Sequence, residues 1–179
     1  MIWETLTQQI AKESGKTFGS KGQRAQLAKL QGAYEEAQRI VAAHTDQAAK
    51  AAWLDHQKEL QAAIARGDLA KLDAYGRAEW ESEFAEKEEA GKAMMRAITK
   101  ECAPLVQELA EEFAAVAEDF AAKQAKAEAD TYARFGVAYP GPSSLIAMLR
   151  RAADYARSRI PRGDHANASP ASMVPYISF

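Results

Sequence analysis

Ser14-Gly15-Lys16-Thr17 is the first stretch whose residue types could do chemistry. A phosphate-binding loop ends in Gly-Lys-Thr, with backbone N–H groups and the lysine cradling the phosphates. That loop needs a glycine five residues before Gly15, where Ile10 stands, and a strand ahead of it, which no alternating β-branched run supplies. A flexible loop is the reading that remains. The histidines are His44, His56 and His165. Twelve helical positions separate the first two, about 1200° of rotation, so they lie about a third of a turn apart. No HExxH occurs, and no glutamate stands three residues before a histidine. Metal and cofactor sites are therefore assigned to none of these residues.

Cys102 has no histidine nearby in sequence, and its neighbours Glu101 and Pro104 do not favour a thiolate, so it reads as a small buried hydrophobe. The glutamates at 79–89, 108–112 and 118 read as a solvated face. Paired-carboxylate catalysis would need a cleft, which a thin helical body does not offer. No nucleophile elbow is present. Arg-Gly-Asp occurs at 66–68 and 162–164, in each case as helix punctuation: a basic stop, a left-handed glycine and a capping aspartate. No catalytic residue emerges, and the chain reads as non-enzymatic.

The elements that position these residues are helices. Of 179 residues, 40 are alanine and only 30 are Leu, Ile, Val or Phe, so the core is lean and made largely of methyl groups. Helix formers fill 20–135 almost without interruption. The pattern predicts helices over about 3–13, 21–66, 69–135 and 144–160, forming a single helical domain over 1–160, with an extended tail over 161–179. Leu27, Leu30, Tyr34, Ala37, Val41, His44, Ala48 and Ala51 make one continuous stripe on the second helix. Pro104 predicts a kink or short break in the third, because it removes the bond to the Lys100 carbonyl. An unbroken helix over 21–66 would be about 68 Å long, whereas a compact domain of this size is roughly 40 Å across. The fold expected is therefore all-α: an elongated, coiled-coil-like antiparallel hairpin turning at Gly67-Asp68, with short terminal helices. Val41 would lie near Met95, and Leu30 near Leu105.

Beyond residue 110 the third helix outruns its partner, leaving Phe113, Val116 and Phe120 to be covered by the chain's own ends or by another protein. Charge is segregated although the net value is -2. Residues 79–130 carry fourteen acids and six bases, while 11–29 and 134–165 are basic. Arg150, Arg151, Arg157 and Arg159 decorate an amphipathic last helix, expected to dock its apolar side on 113–135 with the arginines toward the acidic face, the alternative being contact with acidic protein, nucleic-acid phosphates or anionic lipid. Met173, Val174, Tyr176, Ile177 and Phe179 end a polar tail as an apolar cluster. They are read as a partner-binding peptide whose removal spares the helices and weakens association.

The layout resembles that of small helical structural or scaffolding proteins of bacteriophage particles, which pair long helices with a basic C-terminal helix. That resemblance implies a structural protein of a multichain, virion-like assembly, with protein partners and homo-oligomerisation. The alternative is a nucleic-acid-binding accessory protein using the basic ends. No span long enough for a bilayer occurs, and MIWETLTQQI lacks the features of a signal peptide. The location expected is the cytoplasm or an intracellularly assembled particle.

Overall fold

The computed structural model describes residues 2–67, 77–161 and 168–177. Every regular element among them is a helix: α1 (Ile2–Ser14), α2 (Lys21–Ala43), α3 (Asp46–Ala65), α4 (Arg77–Arg134), α5 (Ser144–Ser158) and the single turn α6 (Pro170–Met173). The protein is all-α. The expected start of the third helix at Leu69, the aspartate of the first Arg-Gly-Asp, the whole of the second, His165 and Phe179 lie outside the described residues.

Two expectations change. The helix expected over 21–66 is two helices, because His44-Thr45-Asp46 carries a stop and a restart. Thr45 is extended and caps α3, its hydroxyl accepting the Ala48 N–H, and Asp46 follows in the first turn. The interruption resets the helical phase, so the stripe holds through Leu27, Leu30, Tyr34 and Ala37, all buried, and then fails: Ala51 is exposed and Ala49 is buried instead. Conversely, α4 runs unbroken through Pro104. Both Pro104 and Lys100 face solvent, so water can satisfy the carbonyl that the proline leaves without a donor.

Packing divides the chain into two compact units, Met1–Gln31 with Thr99–Phe179, and Gly32–Ile98. The smaller unit holds the second half of α2, α3 and the start of α4. A Cβ on Gly91 would stand 2.8 Å from Val41 Cγ2 and 3.2 Å from the Ala37 carbonyl oxygen, so only glycine permits this approach. Val41 thus lies on Gly91, one turn along α4 from the Met95 expected. Aromatic rings fill the rest. Phe84 meets His44 at 5.2 Å and stacks on Trp80 at 5.7 Å, and Trp80 stacks on His56 at 5.2 Å. The break before α3 brings His44 and His56 to one aromatic ladder despite their spacing. His44 Nδ1 lies 2.7 Å from the Ile40 carbonyl oxygen, a geometry in which the ring nitrogen donates.

The larger unit gathers both ends of the chain around the second part of α4. Here Cys102, Val106, Leu109, Ala110, Phe113 and Ala117 are buried. The buried face of α5 is Ile146, Leu149, Ala152, Ala153 and Ala156, and α5 also packs on α1. Gly19 leads into α2 with φ +72°, and its Cβ would lie 2.7 Å from Leu109 Cδ2. Its N–H donates to Glu112 Oε2 at 3.0 Å. Gly136 has a similar φ of +64° but open space around it. Gly136→Ala should therefore cost only the left-handed penalty, about 1 kcal/mol, and Gly19→Ala about 3 kcal/mol because the clash with Leu109 is added. Urea denaturation of the two variants would measure the difference.

Candidate functional site: the C-terminal segment, the α4–α5 corner and a cationic cleft

The apolar tail is held by the chain's own larger unit. Met173, Val174 and Tyr176 are 1%, 0% and 5% exposed, and Ile177 is buried beside them. The segment is a docked turn where an extended tail is expected. Ser169 caps α6 by accepting the Ser172 N–H, with Pro170 at the first turn. The Ala168 carbonyl accepts from the Thr99 hydroxyl, and the Ala171 N–H donates to Gln31 Oε1. Tyr176 then stacks on Phe113 at 4.4 Å and meets Phe18 edge-on at 5.8 Å, while Phe18 and Phe113 are 5.5 Å apart.

The cover that Phe113 and Val116 demand thus comes from within the chain, and both are buried. Phe120 is half-buried, beside a groove lined by Glu13 and Ser14 of α1. Four of the five residues read as a partner peptide are consumed in the interior here, so a partner does not meet them in this state. Burial, and secondarily Glu112, raises the pKa of the Tyr176 phenol, which stays protonated.

The arginines divide. Arg157 donates to Glu111 at 3.0 Å and to Glu118 at 2.7 Å, tying basic α5 to acidic α4 and raising its own already high pKa. Arg159 donates to the Tyr155 hydroxyl, lies over its ring and reaches Glu4 of α1 at 3.6 Å. Arg150 and Arg151 are exposed, and among the described residues no carboxylate pairs with either.

Beside them, the α4–α5 corner presents apolar side chains to water. Phe135 is 78% exposed, and Tyr132, Val137, Leu145 and Met148 are exposed with it. The buried face of α4 ends at Ala121: Gln124 is half-buried and Ala127, Thr131 and Phe135 are exposed. Glu128 holds the corner together, accepting from the Tyr139 hydroxyl at 3.1 Å, the Ser143 N–H at 3.3 Å and Gln124 at 3.1 Å. Hydrogen bonding, foremost from Ser143, holds its carboxyl below the ordinary range. This tie is intact at neutral pH and is lost as acid protonates the carboxylate.

The remaining feature is a cleft of about 680 Å³ lined by α1, the loop after it, Arg24 of α2 and Pro175, Tyr176 and Ile177. Lys16 and Thr17 belong to its wall, yet the loop follows a helix, not a strand, and so is no phosphate-binding loop of the Gly-Lys-Thr type. Cys102 is fully buried, its thiol pushed up to about 11 by desolvation and by Glu101. Among the described residues no group of three or more His, Cys, Asp or Glu could hold a metal ion, and no helix is long and apolar enough to cross a membrane. No protein-family model, curated protein or solved structure matches the chain.

Because Tyr176 seals Phe113, Tyr176→Ala should cost about 3 kcal/mol and lower the melting temperature. Truncation after Ser172 should reduce helical circular dichroism as well, the opposite of what a free partner-binding tail would give.

Proposed function

We propose that this chain is a non-enzymatic structural protein of a multichain particle, such as a phage-like virion or its scaffold, acting through helix packing. In this reading α2 and α3 form one limb of a stiff antiparallel hairpin and α4 the other, together making a spacer. The α4–α5 corner is the attachment point. The observation that carries the reading is the corner itself: Phe135, Val137, Leu145 and Met148 are exposed there, flanked by Arg134, next to Phe135, and by Arg151, one turn from Met148. Contiguous exposed apolar residues with a charged rim are the usual make-up of a protein-binding patch. The partner most compatible with that rim is a carboxylate-rich helical surface, and the acidic stretch of another copy over 79–130 is of that kind. Copies joined in this head-to-tail manner would build rings or filaments. The tail contributes indirectly, by sealing the unit that displays the corner.

A second reading, nucleic-acid binding through the basic terminal segments, is favoured by Arg150 and Arg151, which are exposed and pair with no carboxylate among the described residues. Light scattering after size exclusion separates the two. The assembly reading expects a concentration-dependent oligomer, dissociated by Phe135→Ser with Leu145→Ser at unchanged helix content. A wild-type monomer at all concentrations, together with DNA binding that falls steeply with salt and is lost in Arg150→Ala with Arg151→Ala, would replace it with the second.

A further inference from the structure

We propose that the cleft between α1, the loop after it and the C-terminal segment binds a small phosphorylated organic molecule. The inference stands on the larger unit alone and does not require the assembly reading. Charge is the first observation. Several of the described lysines and arginines sit beside carboxylates: Lys50 with Asp46, Lys87 with Glu83, Lys92 with Glu88, Lys123 with Asp119, Arg157 with Glu111 and Glu118. Lys12, Lys16 and Arg24 all line this one cleft, and among the described residues none of them pairs with a carboxylate and no acid lines the cleft with them. Three cations lining one cleft repel one another, and a polyanion relieves that repulsion.

Unmet hydrogen bonding is the second observation. Four buried side-chain polar atoms lack a partner among the described residues, and two of them, Arg24 Nε and the Tyr176 hydroxyl, belong to residues of this same wall. Buried polar groups are nearly always satisfied, and two of these exceptions belong to residues of the one cleft. Neither atom is open to solvent. The groups an incoming anion meets first are the ammonium groups of Lys12 and Lys16, both exposed, and the free end of the Arg24 guanidinium.

The third observation identifies the ligand's class. A volume of about 680 Å³ far exceeds a bare oxyanion and suits an organic molecule. Phe18, Pro175 and Ile177 give the same cleft an apolar part. A tetrahedral phosphate with several charged oxygens matches one guanidinium and two ammonium groups better than a single planar carboxylate does.

Calorimetric titration of the full chain at low salt, with inorganic pyrophosphate and with adenosine diphosphate as probes, tests this. Both should bind saturably, the nucleotide more tightly because its organic body meets the apolar wall, and both more weakly as salt rises. Arg24→Gln and Lys16→Gln should each reduce affinity about tenfold, the scale of one lost charged hydrogen bond. The surface pair Arg150→Gln with Arg151→Gln should leave it unchanged, and circular dichroism would verify folding of every variant. Absence of saturable binding at millimolar probe would overturn the proposal, as would equal losses in the surface pair. Equal affinities for the two probes would overturn the organic class. Binding of a single-stranded oligonucleotide but of neither small probe would assign these cations to nucleic acid instead.

Discussion

The stacking of Tyr176 on Phe113, with Phe18 closing the third side, is the contact on which the larger unit depends. With only 30 Leu, Ile, Val and Phe residues in 179, the chain has little apolar mass to spare. Aromatic side chains bury far more area than the alanines around them, so a trio contributed by the loop after α1, the middle of α4 and the C-terminal segment joins three distant parts of the sequence at once. Loss of any one ring exposes the other two. The short capped turn α6 and the bonds from Thr99 and to Gln31 aim the segment so that Tyr176 arrives at Phe113.

Charge then sorts the surface. Basic α5 lies on acidic α4 through Arg157, so part of the segregated charge is neutralised within the chain. What remains is unequal. Arg150 and Arg151 stay exposed beside the apolar α4–α5 corner, while Lys12, Lys16 and Arg24 line the cleft. Half-exposed ion pairs of this kind contribute little to stability, and their main effect is on which cations stay available. The corner and the cleft are thus two separate surfaces with different chemistry, one apolar with a basic rim and one cationic with an apolar wall.

Glycine supplies the close approaches that a lean core requires. Gly91 lets α4 reach the Ala37 carbonyl and Val41 in the smaller unit, and Gly19 lets the chain enter α2 against Leu109 in the larger. Both positions look like ordinary helix or loop glycines in the sequence, because the constraint comes from a residue far along the chain.

The helical class, the approximate limits of α1 and α5, the end of α4, and the buried stripe from Leu27 to Ala37 were all legible in the order of residues, since helix propensity, capping and the 3.6 period act over a few neighbours. So was the need to cover Phe113 and Val116. The break at Thr45 was equally local and was hidden only by an alanine-rich stripe that fits two phases about equally well. What covers Phe113, where the apolar tail goes, which arginines are neutralised and which cations converge on one cleft depended on contacts across tens to more than a hundred residues. Periodicity carries no information about such pairings. Tertiary packing alone chose the chain's own C-terminal segment over a neighbour as the cover for α4, because a tethered segment docks at high effective concentration, without the translational and rotational entropy loss that a separate partner would incur.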